Sequence, residues 1–327
     1  MLDKITALRQ MNKWGQSHQP FIFIISYDQS ECIVLKPEDI DPQRLLFHFN
    51  RFTNESLRAP ALPPKQISWS IDPPAFEQYQ KAFQFVTQNE MKGNSYLTNL
   101  TSCTRLKTNM TLQNIYTMAK ARYKLWIRNQ FTVFSPETFI QIKGHKIYSF
   151  PMKGTIDATL ENAAQNLLND PKEKAEHATI TDLIRNDLSR IASHVMVERY
   201  RYVEEIQTNG KTLLETSSRI SGILPDHFYP RLGDLFFSLL PAGSITGAPK
   251  DKTISIINEA EHYNRKFYTG VAGYFDGDNL DSGVLIRFIE EEPDGSLIFK
   301  SGGGITAKSN CKKEYQELKE KVYVPIY

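Results

Sequence analysis

The chain of 327 residues sets 39 Lys and Arg against 37 Asp and Glu, a net charge of +2, with the basic residues spread along its length. That distribution leaves no electrostatic footprint for nucleic acid or for an anionic membrane. At 40% hydrophobic and 23% charged, the composition is that of a globular protein of about two domains or one large core.

The opening stretch, MLDKITALRQMNKWGQ, is too polar for the apolar region of a signal peptide, and FIFII at 21–25 is strand length, far short of a membrane span. Through residue ~75 the pattern predicts strands and loops, with a hairpin in FIFIISYDQSECIVLK and a proline-rich connector, APALPPK, at 59–65. An amphipathic helix follows, in which Phe76, Tyr79, Phe83 and Val86 recur at three- and four-residue steps before a stop at Gly93. SYLTNLTSCTRL then alternates like a strand, and TLQNIYTMAKARY reads as a helix. Three short strands are expected in FTVFS, TFIQIKG and HKIYSFPM. Pro171 opens a long helix through KEKAEHATITDLIRNDLSRIA, since proline is tolerated in a first helical turn. A strand signal in HVMVERYRYVEEIQ precedes a helix at LGDLFFSLL, strands in FYTGVAGYFDG, SGVLIRFIE and SLIFKSG, and a closing helix, CKKEYQELKEKV. Strands in runs with helices between the runs predict an α+β sheet architecture. The cysteines Cys32, Cys103 and Cys311 are odd in number and far apart. That argues against a disulfide framework or zinc site and makes a reducing cytosol, hence a cytoplasmic protein, the default.

Several segments carry groups that do chemistry. In YSFPMKGTI, Lys153 stands between a proline and a glycine where a strand is about to turn; it is either a surface turn residue or a lysine nucleophile aimed by a rigid turn. Gly302, Gly303 and Gly304 form a tight turn or a backbone cradle for an anion. Glu314, Glu317 and Lys321 share one helical stripe, which is a solvated face or half of a hard-cation site. LLPAGSITGAPKDKT has Gly243 and Gly247 four apart with Lys250 three beyond, which breaks the Walker spacing and excludes a phosphate-binding loop of that kind.

Taken together these segments resemble the chorismate-utilising enzymes. PMKGT at 151–155, EHATITDLIRND at 176–187, PAGSITGAPK at 241–250, GYF at 273–275, DSGVLIR at 281–287, GGGITA at 302–307 and EYQELKEK at 314–321 follow the order and approximate spacing of that family. The resemblance implies antiparallel sheets packed together with helices outside. It divides the chain into a variable strand-rich part, 1–75, and a chorismate-binding core, 76–327. Lysine at position 153 is similar to the branch that aminates chorismate at C4 to 4-amino-4-deoxychorismate, on the route to 4-aminobenzoate and folate; the anthranilate-forming branch carries a small residue there. The resemblance assigns Lys153 as covalent nucleophile, Glu137 as general acid, and Glu176 and Glu317 to Mg2+ with Glu314 as helper. It assigns Arg287, Tyr274, Lys321, Thr246 and the Gly302–Gly304 amides to substrate carboxylates. The nucleophile must be neutral, which burial and nearby cations favour. A separate glutamine amidotransferase subunit and a downstream aminodeoxychorismate lyase are implied, because no cysteine elbow or pyridoxal-phosphate site is present. Two positions depart from the family. Leu97 replaces a polar residue and cannot activate water, and Glu215 stands where relatives carry histidine, as a substitute catalytic or hydrogen-bonding group. Alternatives are anthranilate formation and a non-catalytic anion-binding subunit of the same fold.

Overall fold

The computed structural model describes residues 1–55, 63–208 and 211–325, so residues 59–62 of the expected proline-rich connector lie outside the described residues. The chain runs α1 (Lys4–Gln16), β1 (Phe21–Ile25), β2 (Cys32–Leu35), β3 (Leu45–Phe49), β4 (Phe52–Thr53), β5 (Trp69–Asp72), α2 (Phe76–Met91), β6 (Leu97–Thr108), α3 (Leu112–Met118), β7 (Tyr123–Ile127), β8 (Phe131–Ser135), β9 (Thr138–Lys143) and β10 (Lys146–Ser149). It continues with β11 (Met152–Asp157), α4 (Ala163–Asn169), α5 (Pro171–Ser189), β12 (Ser193–Thr208), β13 (Lys211–Ile223), α6 (Leu232–Ser238), β14 (Gly247–Ala248), α7 (Lys250–Ala260), β15 (Val271–Phe275), β16 (Leu280–Val284), β17 (Phe288–Glu291), β18 (Leu297–Ile305) and α8 (Cys311–Glu320).

Two antiparallel sheets result. One has the order β11-β13-β10-β9-β16-β15-β1-β2 with β12 on β13; the other has β14-β6-β18-β17-β8-β7-β3-β4 with β5 on β6. β1 shows why they stack. All five of its residues are buried; Phe21, Phe23 and Ile25 join a core with Met11, Ile180 and Phe236 from α1, α5 and α6, while Ile22 and Ile24 join Phe47, Leu125, Val133 and Phe288 of the second sheet. Successive strand residues point to opposite faces, so a strand covered on both sides must be apolar throughout. The second sheet is covered in turn by α2, α7 and α8, whose Tyr79, Val86, Ile256 and Leu318 pack on Leu100 and Ile305. The α+β expectation, with antiparallel sheets inside and helices outside, is what the structure shows. Among the described residues no helix is long and apolar enough to cross a membrane.

Three local expectations differ. Lys4–Gln16 form α1 rather than a strand or loop: Asp3 caps it by accepting from the Thr6 amide at 2.9 Å, and only Ala7, Met11 and Gly15 are buried, a stripe too thin to register as amphipathic. The helix expected over TLQNIYTMAKARY stops at Met118, because Tyr123–Ile127 is drawn as β7 between β3 and β8 and is buried at every position. Strand β13 was not anticipated; it pairs β10, β11 and β12 and carries Glu215. Strands from the first 75 residues enter both sheets, β1 against β15 and β3 against β7.

Candidate active site

A cavity of about 250 Å3 is lined by residues of β11, β13 and β18, by α5 and α8, and by the segments that follow β8 and β16. Lys153 enters it from β11. The interruption between β10 and β11 falls at Phe150 and Pro151, so Lys153 lies on the strand itself rather than at its terminal turn. The ladder with β13 shifts register between Lys153 and Thr155, and the intervening Gly154 has φ +75°. This is a bulge that glycine makes without strain and that re-aims the neighbouring side chain. A Cβ on Gly154 would stand 2.7 Å from Glu173 Oε2, so the Glu173 side chain would have to shift as well. The Thr216 hydroxyl donates to the Lys153 carbonyl and pins the strand at this point.

Gly302–Gly304 do not form a strand-to-helix turn. They continue β18 and pair with Thr101, Leu100 and Asn99 of β6. Their value is proximity. A Cβ on Gly304 would lie 3.0 Å from Lys153 Nζ, 3.1 Å from Leu97 Cδ1 and 3.6 Å from Glu176 Oε2, so lysine, leucine and glutamate meet over bare backbone. On Gly303 the nearest groups, Lys321 Nζ and Glu317 Oε1, are 3.5 and 3.7 Å away. Gly304→Ala is therefore expected to lower turnover roughly 10²-fold by displacing the lysine amine, while Gly303→Ala costs far less; steady-state rates of the two variants check this. Equal losses would show that the glycines serve backbone freedom instead.

The charged groups divide into two sets. On one side, Glu137 accepts a hydrogen bond from the Ser244 hydroxyl, and desolvation pushes its carboxyl up despite that bond and the charges of Lys153 and Arg287. Glu215 is pushed up to about 8, by burial first and by the charge of Glu137 second. Both therefore hold protons more tightly than exposed carboxylates do. On the other side, Glu173 and Glu176 are raised by burial, while Lys321, 2.7 Å from Glu317, holds that carboxyl below its usual range. Burial alone would lower the Lys172 ammonium, but its 2.9 Å hydrogen bond to Glu314 and the charge of Glu176, 3.6 Å away, outweigh that and raise it.

Of the residues singled out from sequence, Lys153, Glu137, Glu176, Glu215, Arg287, Gly302–Gly304, Glu314, Glu317 and Lys321 all line this cavity. Arg287 donates to the Lys321 carbonyl at 3.2 Å and lies over the Tyr323 ring, and Lys321 Nζ donates to the Gly302 carbonyl at 2.8 Å. Two expectations are corrected. Tyr274 faces away and stacks on Phe52 with ring centroids 4.3 Å apart; the tyrosine in the cavity wall is Tyr268. Thr246 is fully buried, its hydroxyl donating to the Ala242 carbonyl at 2.9 Å to close the turn that presents Ser244. Lys172, Glu173 and Ser244 are additional wall residues. Lys172 and Glu173 stand four and three residues before Glu176, a spacing that marks one helix face.

A hard divalent cation suits this donor set. The donors are carboxylate oxygens, Glu176 and Glu314 are buried, and Glu176 Oε1 has no hydrogen-bond partner among the described residues. Among the described residues no three acidic, His or Cys side chains already stand at metal-ligand spacing; the Lys172 ammonium lies between Glu176 and Glu314.

Residues 41–326 match the model of a family described as chorismate binding enzyme. The chain is 46% identical over 319 residues to an uncharacterized PabA-like protein of Pasteurella multocida, covering 98% of each. It is 34% identical over 262 residues to aminodeoxychorismate synthase component 1 of Klebsiella aerogenes, covering 75% of this chain and 56% of that one. The solved menaquinone-specific isochorismate synthase MenF of Escherichia coli superposes with a TM-score of 0.74 over 96% of this chain and 79% of its own; at 17% identity that likeness concerns the fold alone.

Proposed function

This chain belongs to the chorismate-binding enzyme family, and we propose that within it the protein aminates chorismate at C4 as component I of an aminodeoxychorismate synthase. One observation carries the reading: the Lys153 amine and the Glu176 carboxylate reach the same spot beside Gly304, with Glu137 in the wall of the same cavity. A surface turn lysine has no reason to be there. A nucleophile does.

In this reading the neutral Lys153 amine, the form that breakdown of the adduct regenerates at the end of each cycle, adds to C2 of the ring as the 4-hydroxyl departs and the ring π-electrons shift. Glu137, whose buried setting raises its hold on a proton, gives that proton to the departing oxygen, so that water leaves rather than hydroxide. The Ser244 hydroxyl fixes the orientation of that carboxyl. Ammonia then forms a bond at C4, and the C2–nitrogen bond to Lys153 breaks, its electron pair returning to the lysine amine. Two modest barriers replace one high one. Arg287 and Lys321 supply the positive charge that holds substrate carboxylates; the planar guanidinium suits a two-pronged contact. Glu176 and Glu317, with Glu314 beside them, would hold Mg2+, which when bound neutralises the ring carboxylate. Such a cation competes with the Lys172 ammonium for the same oxygens. Ammonia would come from a separate glutamine amidotransferase subunit, and the product would pass to an aminodeoxychorismate lyase.

The test is an assay of the purified chain with chorismate, Mg2+ and an ammonium salt, followed by mass analysis of the product. The expected result is 4-amino-4-deoxychorismate, converted to 4-aminobenzoate only when lyase is added, with turnover suppressed by a chelator and restored by Mg2+. Anthranilate as product, or chorismate bound and never turned over, would each refute the reading.

A further inference from the structure

The amination reading leaves one group without a role, and the following inference rests on that reading. Glu215 on β13 and Glu204 on β12 are direct register partners, so both side chains leave the same face of the ladder. Like charges placed opposite one another repel. Glu204 relieves its share by accepting from the Ser217 hydroxyl at 2.8 Å. Glu215 does not: its Oε2 is buried and has no hydrogen-bond partner among the described residues.

The charged groups facing Glu215 come from four elements: Glu137 after β8, Arg287 after β16, Glu204 on β12 and Lys153 on β11. A second cavity of about 350 Å3, lined by Glu204 and Glu205, shares Pro136, Met152 and Arg287 with the first. Lys120 and Arg122 line it as well, so its charges roughly balance. What marks the junction of the two cavities is the facing carboxylate pair, with one buried oxygen left open.

We propose that Glu215 is the general base of the amination step, taking a proton from incoming ammonium so that neutral ammonia forms inside the cavity. The position follows from Glu137. A carboxyl that protonates the 4-hydroxyl lies beside C4, and Glu215 lines the same cavity within reach of that carboxyl's charge. The balance closes. Ammonium gives one proton to the Glu215 carboxylate, which passes it to Glu137, whose own proton has already gone to the departing oxygen and leaves in water. The nitrogen bonds to C4 as a substituted ammonium while Lys153 departs as a neutral amine. Ammonium outweighs ammonia near neutral pH, so a site without a base would see only the minor free-ammonia fraction. The burial that pushes Glu215 up to about 8 makes it a better-matched acceptor for ammonium than an exposed carboxylate. It also supplies the polar contact that Leu97, buried beside Gly304, does not.

The test measures amination by the full chain with ammonium chloride, saturating chorismate and Mg2+ from about pH 6.5 to 9.5, for wild type, Glu215→Gln and Glu215→His. In Glu215→Gln, kcat/KM for ammonium is expected to fall roughly 10²-fold near neutral pH and then to climb in proportion to free ammonia. The wild-type profile flattens above about 8, the value that burial gives Glu215. Glu215→His, which keeps a base, recovers part of the loss, while chorismate KM and the melting midpoint stay near wild type. Profiles that stay parallel above about pH 8, where the wild type should flatten and Glu215→Gln keep climbing, overturn the inference. So does a raised chorismate KM with the ammonium dependence unchanged, which would make Glu215 a substrate-holding group. A wild-type chain that does not aminate at all overturns the function and the inference together, whereas these two results overturn the inference alone.

Discussion

Lys153→Ala is expected to cut amination by about 10³-fold or more, the scale on which removing a covalent nucleophile acts, and to abolish any lysine-linked adduct in mass spectra of protein incubated with chorismate and Mg2+ without ammonia. The side chain enters from a bulge, half-buried, and its charge lowers Glu137, Glu176, Glu215 and Glu317. Removing it therefore raises the Glu137 carboxyl further, so the loss cannot be blamed on a weakened hold of the general acid on its proton. Lys153→Arg separates charge from nucleophilicity: it restores the field but not the attack and should remain adduct-free. Chorismate binding, measured by calorimetry, should weaken only several-fold in the alanine variant, since Arg287 and Lys321 remain. Rates within about threefold of wild type, too small a change for a lost nucleophile, would remove Lys153 from the chemistry.

The largest expected effect on stability lies outside the cavity. The Arg265 side chain is 2% exposed and donates to both oxygens of Glu261 (2.7 and 2.6 Å), to the Asn99 carbonyl at 2.7 Å and to the Ile245 carbonyl at 3.0 Å. Glu261 also accepts from the Thr101 amide at 2.7 Å. One guanidinium thus ties β6 to the turn that presents Ser244. Arg265→Met leaves a buried carboxylate without its counterion, which typically costs about 3–5 kcal/mol. Urea denaturation is the measurement. The double variant Arg265→Met, Glu261→Met should recover part of the loss, because no charge is then stranded. A single-variant loss below about 1 kcal/mol would mean that the ion pair is solvated.

Most of the cavity lining was readable from the chain because those residues sit in short local motifs: the lysine before a glycine, the glutamates on one helical stripe, the three glycines ending a strand. What those motifs could not give was parity and depth. The GYF strand is where expected, yet Tyr274 points to Phe52, because the face a strand residue takes is set by its distant partners Ile22 and Asp281. Thr246 was read as a donor to substrate, but a turn hydroxyl can be consumed by its own turn. Lys172 was visible in sequence at i−4 from Glu176; only the arrival of Glu314 from α8 gives it a role. The same holds for α1, whose cap at Asp3 is a local signal while its thin buried stripe is defined by α6 and β2.

β1 lies between β2 and β15. Its five residues are among the first in the chain, and one whole edge of their backbone polar groups finds partners only at Val271–Phe275. A nascent chain must therefore carry a wholly apolar strand with one edge unpaired through most of its synthesis, the kind of exposed edge that recruits other chains. Folding that closes so late in sequence is slow, and any truncation upstream of residue 271 should give aggregate rather than a smaller folded protein.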